Sequence, residues 1–116
     1  MKFLMLVCAE ESGSEEDETA EAVDAGDGGS FPWLDDVTAR GIRLDGDRLK
    51  PSREAKTVMV REGEVLVSDG PFAETKEVIC GYDVLDCADI DEAVEVASRH
   101  PVAGFGKIEV RPFWRG

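Results

Sequence analysis

The sequence predicts an α+β fold, and three observations lead to this class. An unbroken apolar run covers residues 3–8, two later stretches carry apolar side chains at helical spacing, and the chain alternates with a period of two from Lys56 onward. The chain has 116 residues, of which 42% are hydrophobic and 34% are charged, so it can bury one core without disulfides or metal. We therefore expect a single domain over residues 1–116.

The first part of the chain predicts a strand and a helix. Residues 3–8 are apolar without alternation, which is typical of a central strand that is covered on both faces. A helix is expected over residues 31–40. Ser30 supplies its N-cap, Pro32 lies in its first turn, and Gly41 stands where a helix would end.

The middle of the chain predicts a weak segment followed by a hairpin. Residues 42–49 are short and contain the turn pair Asp45-Gly46, so we expect at best a small hairpin or an edge segment there. Between residues 56 and 68, valines alternate with other side chains on either side of Glu62-Gly63, which favours a tight turn. This pattern predicts a β-hairpin.

Two further strands follow the hairpin. The turn residues after Ser68 interrupt the pattern, and the chain resumes as a strand over residues 78–85, with Cys80, Tyr82 and Val84 expected on one face. Residues 107–111 alternate charged and apolar side chains, which predicts a last strand exposed on one side.

A second helix is expected between these two strands. Asp89 is its N-cap, Glu92 follows three residues later as in a capping box, and Pro101 halts the helix. Arg99 and His100 stand where positive charge complements the C-terminal dipole. The apolar stripe of this helix consists of Ile90, Ala93, Val94 and Ala97.

The predicted order of elements is strand, helix, hairpin strands, strand, helix, strand. This order is close to the split βαβ arrangement of ferredoxin-like domains. Two helices cover one face of such a sheet, and apolar side chains on the other face must be buried against something. A second copy of the chain is the simplest candidate, so we expect a homodimer, or a larger homo-oligomer, that packs sheet on sheet.

The charge of the chain is strongly negative and uneven. The chain has 13 Lys and Arg against 26 Asp and Glu, which gives −13, and nine of the acids lie between Glu10 and Asp27 without a base among them. We interpret the stretch at about residues 10–29 as a solvated acidic loop rather than an adaptation to high salt, because charges are nearly balanced elsewhere. Nucleic acid and anionic membranes repel such a chain, so neither is an expected partner.

Several features indicate a cytoplasmic protein. No segment approaches the run of about 20 apolar residues that spans a bilayer, and the apolar start is too short for a secretory signal and lacks a cleavage site. The three cysteines are an odd number without paired spacing, which fits reduced thiols. No Cys/His spacing resembles a zinc site, and we expect neither a metal nor a cofactor.

The nine residues 69–77 read Asp-Gly-Pro-Phe-Ala-Glu-Thr-Lys-Glu, and we call them the DGPF loop. This motif resembles the signature of the DGPF group in the YCII-related family. Four further stretches resemble the same family in the same order: Leu49-Lys50-Pro51-Ser52, Gly81, His100-Pro101 and Glu109-Val110-Arg111-Pro112. The resemblance implies a ferredoxin-like subunit that assembles as a dimeric α+β barrel, and it implies no single reaction.

Two properties of relatives bear on function. Some YCII-like proteins carry a proposed His-Asp active-site pair, and one branch eliminates chloride from a chlorinated, hydroxylated aromatic compound. This chain has a single histidine, His100, and none in the first helix, where those relatives place theirs, so the pair is not carried over. DGPF members are often encoded beside sigma factors of the extracytoplasmic-function type, which implies a role near a stress regulator.

The candidate catalytic residues are Asp69, Glu74 and Lys76. Asp69, beside a Gly-Pro corner, is a candidate general base at a cleft rim, or it forms an Asx-turn that only shapes the backbone. Glu74 and Lys76 can move a proton if they face a pocket, and otherwise they belong to an exposed, salt-bridged turn.

The candidate ligand-binding residues are Phe72, Glu77, Tyr82 and His100. The aromatic side chains either line a barrel pocket or belong to the core or the dimer interface. His100 either titrates near neutral pH or caps a helix C-terminus with its charge. Cys8 and Cys80 are expected in the core rather than as nucleophiles.

These observations favour a small cytoplasmic homodimer that binds a small polar or aromatic metabolite in its barrel cleft. If the protein is an enzyme, we expect cofactor-free proton transfer or elimination, with a carboxylate as base and Lys76 or a backbone N–H stabilising negative charge. The alternative is a non-enzymatic regulatory or interaction protein, associated with a sigma-factor system, that uses the acidic segment to attract a basic surface.

Overall fold

The computed structural model describes residues 1–11, 32–73 and 75–115. In this part of the chain the elements are β1 (Lys2–Glu10), α1 (Pro32–Ala39), β2 (Arg43–Arg48), β3 (Lys56–Arg61), β4 (Glu64–Asp69), β5 (Glu77–Asp86), α2 (Ile90–Ser98) and β6 (Lys107–Pro112). Short 3-10 helices occupy Ser52–Glu54 and Pro101–Gly104. Most of the predicted acidic loop, together with Ser30, Phe31 and Glu74, lies outside the described residues.

Four strands form one antiparallel sheet in the order β2-β5-β1-β6, and β3 and β4 form a separate two-stranded sheet. If this hairpin is set aside, the order is that of the ferredoxin-like fold, in which each helix connects two strands that are not neighbours in the sheet. The predicted α+β class and split βαβ arrangement are therefore confirmed. The hairpin is inserted between β2 and β5, at the end of the sheet where β1 ends.

The core lies between the helices and one face of the sheet. Phe3, Met5 and Val7 of β1 are at most 2% exposed, because alternate residues of a strand point to the same face and this face meets both helices. Trp33 from α1 donates its Nε1 hydrogen to the Val96 carbonyl of α2 at 2.8 Å, which joins the helices over the sheet. The helix residues of the core are Trp33, Leu34, Val37, Ala93, Val96 and Ala97.

The described residues cover β1 on one face, so the prediction that both faces are covered stays a prediction. The intervening residues Leu4, Leu6 and Cys8 are only half-buried, since the helices pack on the other side. The apolar run fails to alternate because both faces of β1 are apolar, whether or not the described residues cover them. The central position of β1, between β5 and β6, is confirmed.

Of the two alternatives for residues 42–49, the edge segment is confirmed and the hairpin turn at Asp45-Gly46 is wrong, because both residues lie inside the edge strand β2 and pair with β5. The reason is an ion pair on the helix side of the sheet, in which Arg43 Nε donates to Asp83 Oδ1 at 2.7 Å. A Cβ atom on Gly46 would overlap that carboxylate. The glycine therefore makes room for a nearly buried charge pair instead of forming a turn, and the pair holds β2 against β5.

The second helix follows the predicted capping pattern with two differences. Asp89 accepts a hydrogen bond from Glu92 N at 2.8 Å as predicted, but the Glu92 carboxylate reaches back to Ala88 N rather than to the cap residue itself. The predicted apolar stripe is shifted: Ile90 and Val94 are exposed, and Val96 is buried. The first helix matches its prediction to within one residue at its C-terminal end.

Both interpretations of His100 are wrong, because it neither carries charge at a helix C-terminus nor titrates near neutral pH. It is 5% exposed, packs edge-on against Trp33 at a ring-centroid distance of 4.8 Å, and accepts a hydrogen bond from Val102 N at Nδ1. It thereby caps the 3-10 helix that begins at Pro101. Burial lowers the pKa of His100 to about 4, so the imidazole is neutral at physiological pH.

The predicted hairpin and final strands are confirmed, with one change at Cys80. The turn residues Glu62 and Gly63 both have positive φ angles, of 52° and 79°, as a type I′ hairpin turn requires. A register shift between Val7 and Cys8 introduces a bulge in β5, and Cys80 there packs against the core instead of sharing a face with Tyr82. None of the helices in the described ranges is long and apolar enough to cross a membrane.

Replacement of Gly46 by alanine is expected to lower the free energy of unfolding by about 1–3 kcal/mol, as overpacking does. The new methyl group would lie 2.8 Å from the Tyr82 carbonyl oxygen and would displace the Asp83 carboxylate from Arg43. Chemical denaturation measures this loss. The matched control is Gly104→Ala, where an added Cβ meets nothing within 4 Å. An equal loss of unfolding free energy in both variants would contradict the role of the ion pair.

The buried His100 makes stability depend on pH. Its folded-state pKa of about 4 lies below the ordinary 6.5, so the unfolded chain binds the proton first and the free energy of unfolding falls as the pH is lowered through this window. We expect a loss of about 2 kcal/mol from this group between pH 7 and pH 5. The variant His100→Asn retains an acceptor for Val102 N but has no imidazole. Its free energy of unfolding should therefore lack this loss between pH 7 and pH 5.

His100 is the single histidine of the chain, so its imidazole can be followed by NMR without interference. Its resonances should not titrate above pH 5 in the folded protein. A midpoint near the ordinary histidine value would contradict the buried, neutral assignment.

Candidate functional site

The face of the four-stranded sheet that the helices leave uncovered is here called the open face. Its centre is apolar and half-buried, and it is built from cross-strand pairs: Leu4 lies opposite Val84, and Leu6 lies opposite Tyr82. Cys8 and the 48%-exposed Ile79 extend this surface toward the end of β1. An apolar sheet surface of this kind can bind a flat or aromatic molecule, or pack against another protein surface.

Charged side chains border the open face on both sides. On the β2 side, Asp45 and Asp47 lie opposite Val84 and Tyr82 in the strand register. The β6 side carries residues opposite Leu4, Leu6 and Cys8, and these are Arg111, Glu109 and Lys107. The β2 border is therefore acidic, whereas the β6 border carries a net positive charge.

At the centre of the open face, Tyr82 combines an apolar aromatic ring with a hydroxyl group. Its pKa is raised above the ordinary value of 10, first by the negative charge of Asp45 and then by burial and Asp47. The phenol therefore keeps its proton at neutral pH. It can donate a hydrogen bond to a ligand or to the acids beside it.

The cysteine on the open face is a weak nucleophile. Burial raises the pKa of Cys8, and the charges of Glu109 and Glu77 raise it further, while Lys107 acts in the opposite direction. Cys8 lies on the open face rather than in the core, which corrects its predicted location, but its thiol stays protonated at neutral pH. Burial likewise raises the pKa of Cys87, to about 11.

The DGPF loop begins where the hairpin returns to the sheet. Gly70 has a φ of 87°, a conformation that favours glycine, and its N–H donates to the Ala55 carbonyl at 2.7 Å. The Thr57 hydroxyl donates to the Gly70 carbonyl at 2.8 Å. Asp69 is 82% exposed and forms an ion pair with Lys56 across the hairpin. These bonds fasten the start of the loop to the base of the hairpin.

The end of the DGPF loop reaches a group of charges at one end of the open face. Glu10 and Glu77 are paired in register, Lys76 Nζ lies 3.9 Å from Glu10 Oε2, and Lys107 Nζ lies 2.8 Å from Glu77 Oε1. The ion pair between Lys107 and Glu77 connects β6 to β5 across the end of β1. Two ammonium groups and two carboxylates thus border the apolar surface where the loop joins the sheet.

The first residue after β1 also contacts the segment that leads into the hairpin. The Glu11 carboxylate accepts a hydrogen bond from the Ser52 hydroxyl and another, of 2.9 Å, from Ser52 N. Ser52 opens the short 3-10 helix before β3, and an acid is favourable at such an N-terminus. This contact fixes the base of the hairpin beside the end of the sheet.

The structure brings together some of the predicted site residues and separates others. Lys76 and Glu77 lie in the charged group at the end of the open face, and Tyr82 lies farther along the same face. Asp69 is the last residue of β4, and the 90%-exposed Phe72 lies between hairpin and sheet. His100 is in the core on the helix side, and Glu74 is outside the described residues.

Sequence reasoning missed the acids of β2. Asp45 and Asp47 flank Gly46 at a spacing of two, which is the spacing of residues on one face of a strand, but the Asp-Gly pair favoured a turn interpretation. Among residues 1–11, 32–73 and 75–115, no three His, Cys, Asp or Glu side chains form a group that could hold a metal ion.

Removing the Asp45 charge is expected to lower the pKa of Tyr82 toward its ordinary value, because the tyrosinate is then less strongly repelled. Tyr82 is the single tyrosine in the chain, so its ionisation can be followed directly by ultraviolet absorbance. Asp45→Asn should shift the titration further than Asp47→Asn, since Asp45 is the larger cause. Equal titration curves for both variants and the parent would contradict the placement of β2 beside Tyr82.

The sequence is similar to known proteins. The chain is 46% identical over 67 residues to an uncharacterized protein of Rhizobium meliloti (strain 1021), a match that covers 56% of this chain and 54% of the relative. The aligned region therefore spans about half the length of that protein. The YCII-related domain matches residues 1–115 of this sequence. With nearly all of its residues inside that match, and a ferredoxin-like sheet carrying the DGPF loop, the chain belongs to the YCII-related family.

Proposed function

We propose that this protein is a homodimer that binds a small polar or aromatic metabolite between the open faces of two copies. The observation that carries the proposal is the apolar centre of the open face, formed by Leu4, Leu6, Tyr82 and Val84, which the described residues leave half-buried. Pairing with a second copy would bury this surface and leave the charged borders at the rim of a cavity. The free cysteines suit a cytoplasmic location, where thiols stay reduced.

The border charges favour one arrangement of the two copies. A two-fold axis parallel to the strands places the β2 border of one copy against the β6 border of the other, so Asp45 and Asp47 face the partner's basic border with Lys107 and Arg111. An axis across the strands would instead bring the acids of both β2 borders together, which is unfavourable. We therefore propose the arrangement in which β2 lies over β6.

The same residues suggest what such a cavity would bind. The apolar side chains suit a ring or a short hydrocarbon, and the Tyr82 hydroxyl and the charges at the sheet end would orient polar substituents. If the protein catalyses a reaction, cofactor-free proton transfer or elimination fits this composition. Asp69 or Glu74 would then act as base, and Lys76 would stabilise developing negative charge.

A second candidate function is a regulatory or interaction role coupled to a sigma-factor system. The support for it is the concentration of acids that begins at Glu10 and Glu11, directly beside the base of the hairpin. Deletion of residues 12–27 separates the two functions. A metabolite-binding dimer would retain its small-molecule selectivity after this deletion, whereas an interaction protein would lose its partner.

Native mass spectrometry of freshly purified protein tests the main proposal, because one spectrum reports subunit number and retained molecules. We expect a dimer with a discrete additional mass. Two reversed-charge variants sharpen the test: Asp45→Lys with Asp47→Lys, and Lys107→Glu with Arg111→Glu. Each variant alone should be largely monomeric, since like charges would face each other. An equimolar mixture should form a heterodimer that again carries the mass.

The outcomes separate the parts of the proposal. A monomeric parent protein would contradict the homodimer, and homodimers of both variants would contradict the border arrangement. A dimer without any retained mass would favour the interaction role. The exposed pair Arg99 and Glu95 at the C-terminal end of α2 supplies a control, since reversing both charges there should change neither the subunit number nor the retained mass.

A further inference from the structure

The β3–β4 hairpin carries apolar side chains that the described part of the chain leaves exposed. Cross-strand partners share a face, so Val58 with Val67 and Val60 with Val65 form one continuous surface, which we call the valine face. Its four side chains are between 56% and 66% exposed. Met59 and Leu66 on the other face are less exposed, at 43% and 42%. Thr57 is the single residue of either strand that is half-buried rather than exposed.

Such a hairpin needs a covering surface. A two-stranded hairpin alone is at best marginally stable in water, and its stability comes from packing one face against something else. Both ends of this hairpin are nevertheless well defined: Glu62 and Gly63 form a tight turn at the tip, and the Lys56–Asp69 ion pair closes the base. The chain thus presents a preformed valine face with charges only at its two ends.

We propose that the hairpin is an arm of the homodimer, and that its valine face packs against the valine face of the partner's hairpin. This inference rests on the proposed dimer. Both arms leave the sheet at the end where β1 finishes and β5 starts. A two-fold axis parallel to the strands therefore places both arms at the same end of the dimer, where identical apolar faces can meet across the axis.

The chemistry and the area of the surface support this occupant. Four valines facing four valines leave no buried charge unpaired, because the charged residues lie at the tip and the base of each arm. The exposed fractions of the four valines correspond to roughly 350 Å² of surface on each arm. Two arms would therefore add about 700 Å² to the area that the open faces bury, whereas a specific dimer typically buries about 1,600 Å² in total. The arm therefore supplies a large share of what a stable interface requires.

The consequence for the site is closure by the second copy. The DGPF loop starts at Asp69, which is both the last residue of the arm and the partner of Lys56. Two arms that pack together at this end would cover the cavity beside both DGPF loops. Each binding site would then be incomplete without the hairpin of the other copy.

Sedimentation equilibrium of the full chain tests the arm. Val58→Lys places a charge on the valine face and is expected to raise the dimer dissociation constant by at least about tenfold, an effect of about 1.4 kcal/mol. The matched control is Ser68→Lys, an exposed site on the opposite face of the same hairpin, which should change the constant less than twofold. Circular dichroism verifies that both variants are folded, which is expected because neither position is buried.

A mixing experiment identifies the contact surface. Val58→Glu alone should also dissociate, and an equimolar mixture of Val58→Lys and Val58→Glu should regain dimers, since opposite charges would meet across the axis. Dimers of Val58→Lys as tight as those of the control would overturn the arm while leaving the homodimer proposal intact. Weakened single variants without recovery on mixing would overturn the arm-to-arm contact. A parent protein that is monomeric would overturn both proposals.

Discussion

The sheet depends on a strand that is apolar on both faces. One face of β1 is fully covered by α1 and α2, and the other is left half-buried with Leu4, Leu6 and Cys8 at its centre. Burial of the first face supplies the core, because each large side chain removed from water contributes about 1.5–3 kcal/mol. The second face is what links this fold to the proposed function. A strand selected only for the core would carry polar residues there.

Much of the fold could be predicted because its signals are local. Asp89 with Glu92 defines the start of α2, Glu62-Gly63 defines the hairpin turn, and Pro101 ends the helix, each through contacts within a few residues. The errors arose where a distant residue decides the structure. Asp45-Gly46 reads as a turn until Asp83, which lies far along the chain, occupies the space above the glycine. His100 likewise reads as a surface cap until Trp33 covers it.

The candidate site shows the same division. The DGPF loop was identified from its motif, and Lys76, Glu77 and Tyr82 do lie along one face of the sheet. Their neighbours could not be read from the sequence, because cross-strand register decides which residues lie side by side. That register places Asp47 opposite Tyr82 and Lys107 opposite Cys8. The arrangement of an acidic and a basic border, on which the proposed dimer depends, is visible only after the strands are paired.

The strand order has a consequence for how the chain folds. β1 pairs with β5 and β6, so it remains without sheet partners until most of the chain has been synthesised. The ion pair between the Met1 amino group and Asp86 shows the distance involved, because it joins residues that are 85 positions apart. Sheets built from such distant pairs fold slowly, since a long loop must close before any contact forms. During that interval an apolar strand with both edges open is at risk of pairing with other chains. The β3–β4 hairpin, whose strands are joined by a two-residue turn, can form early and independently of the sheet.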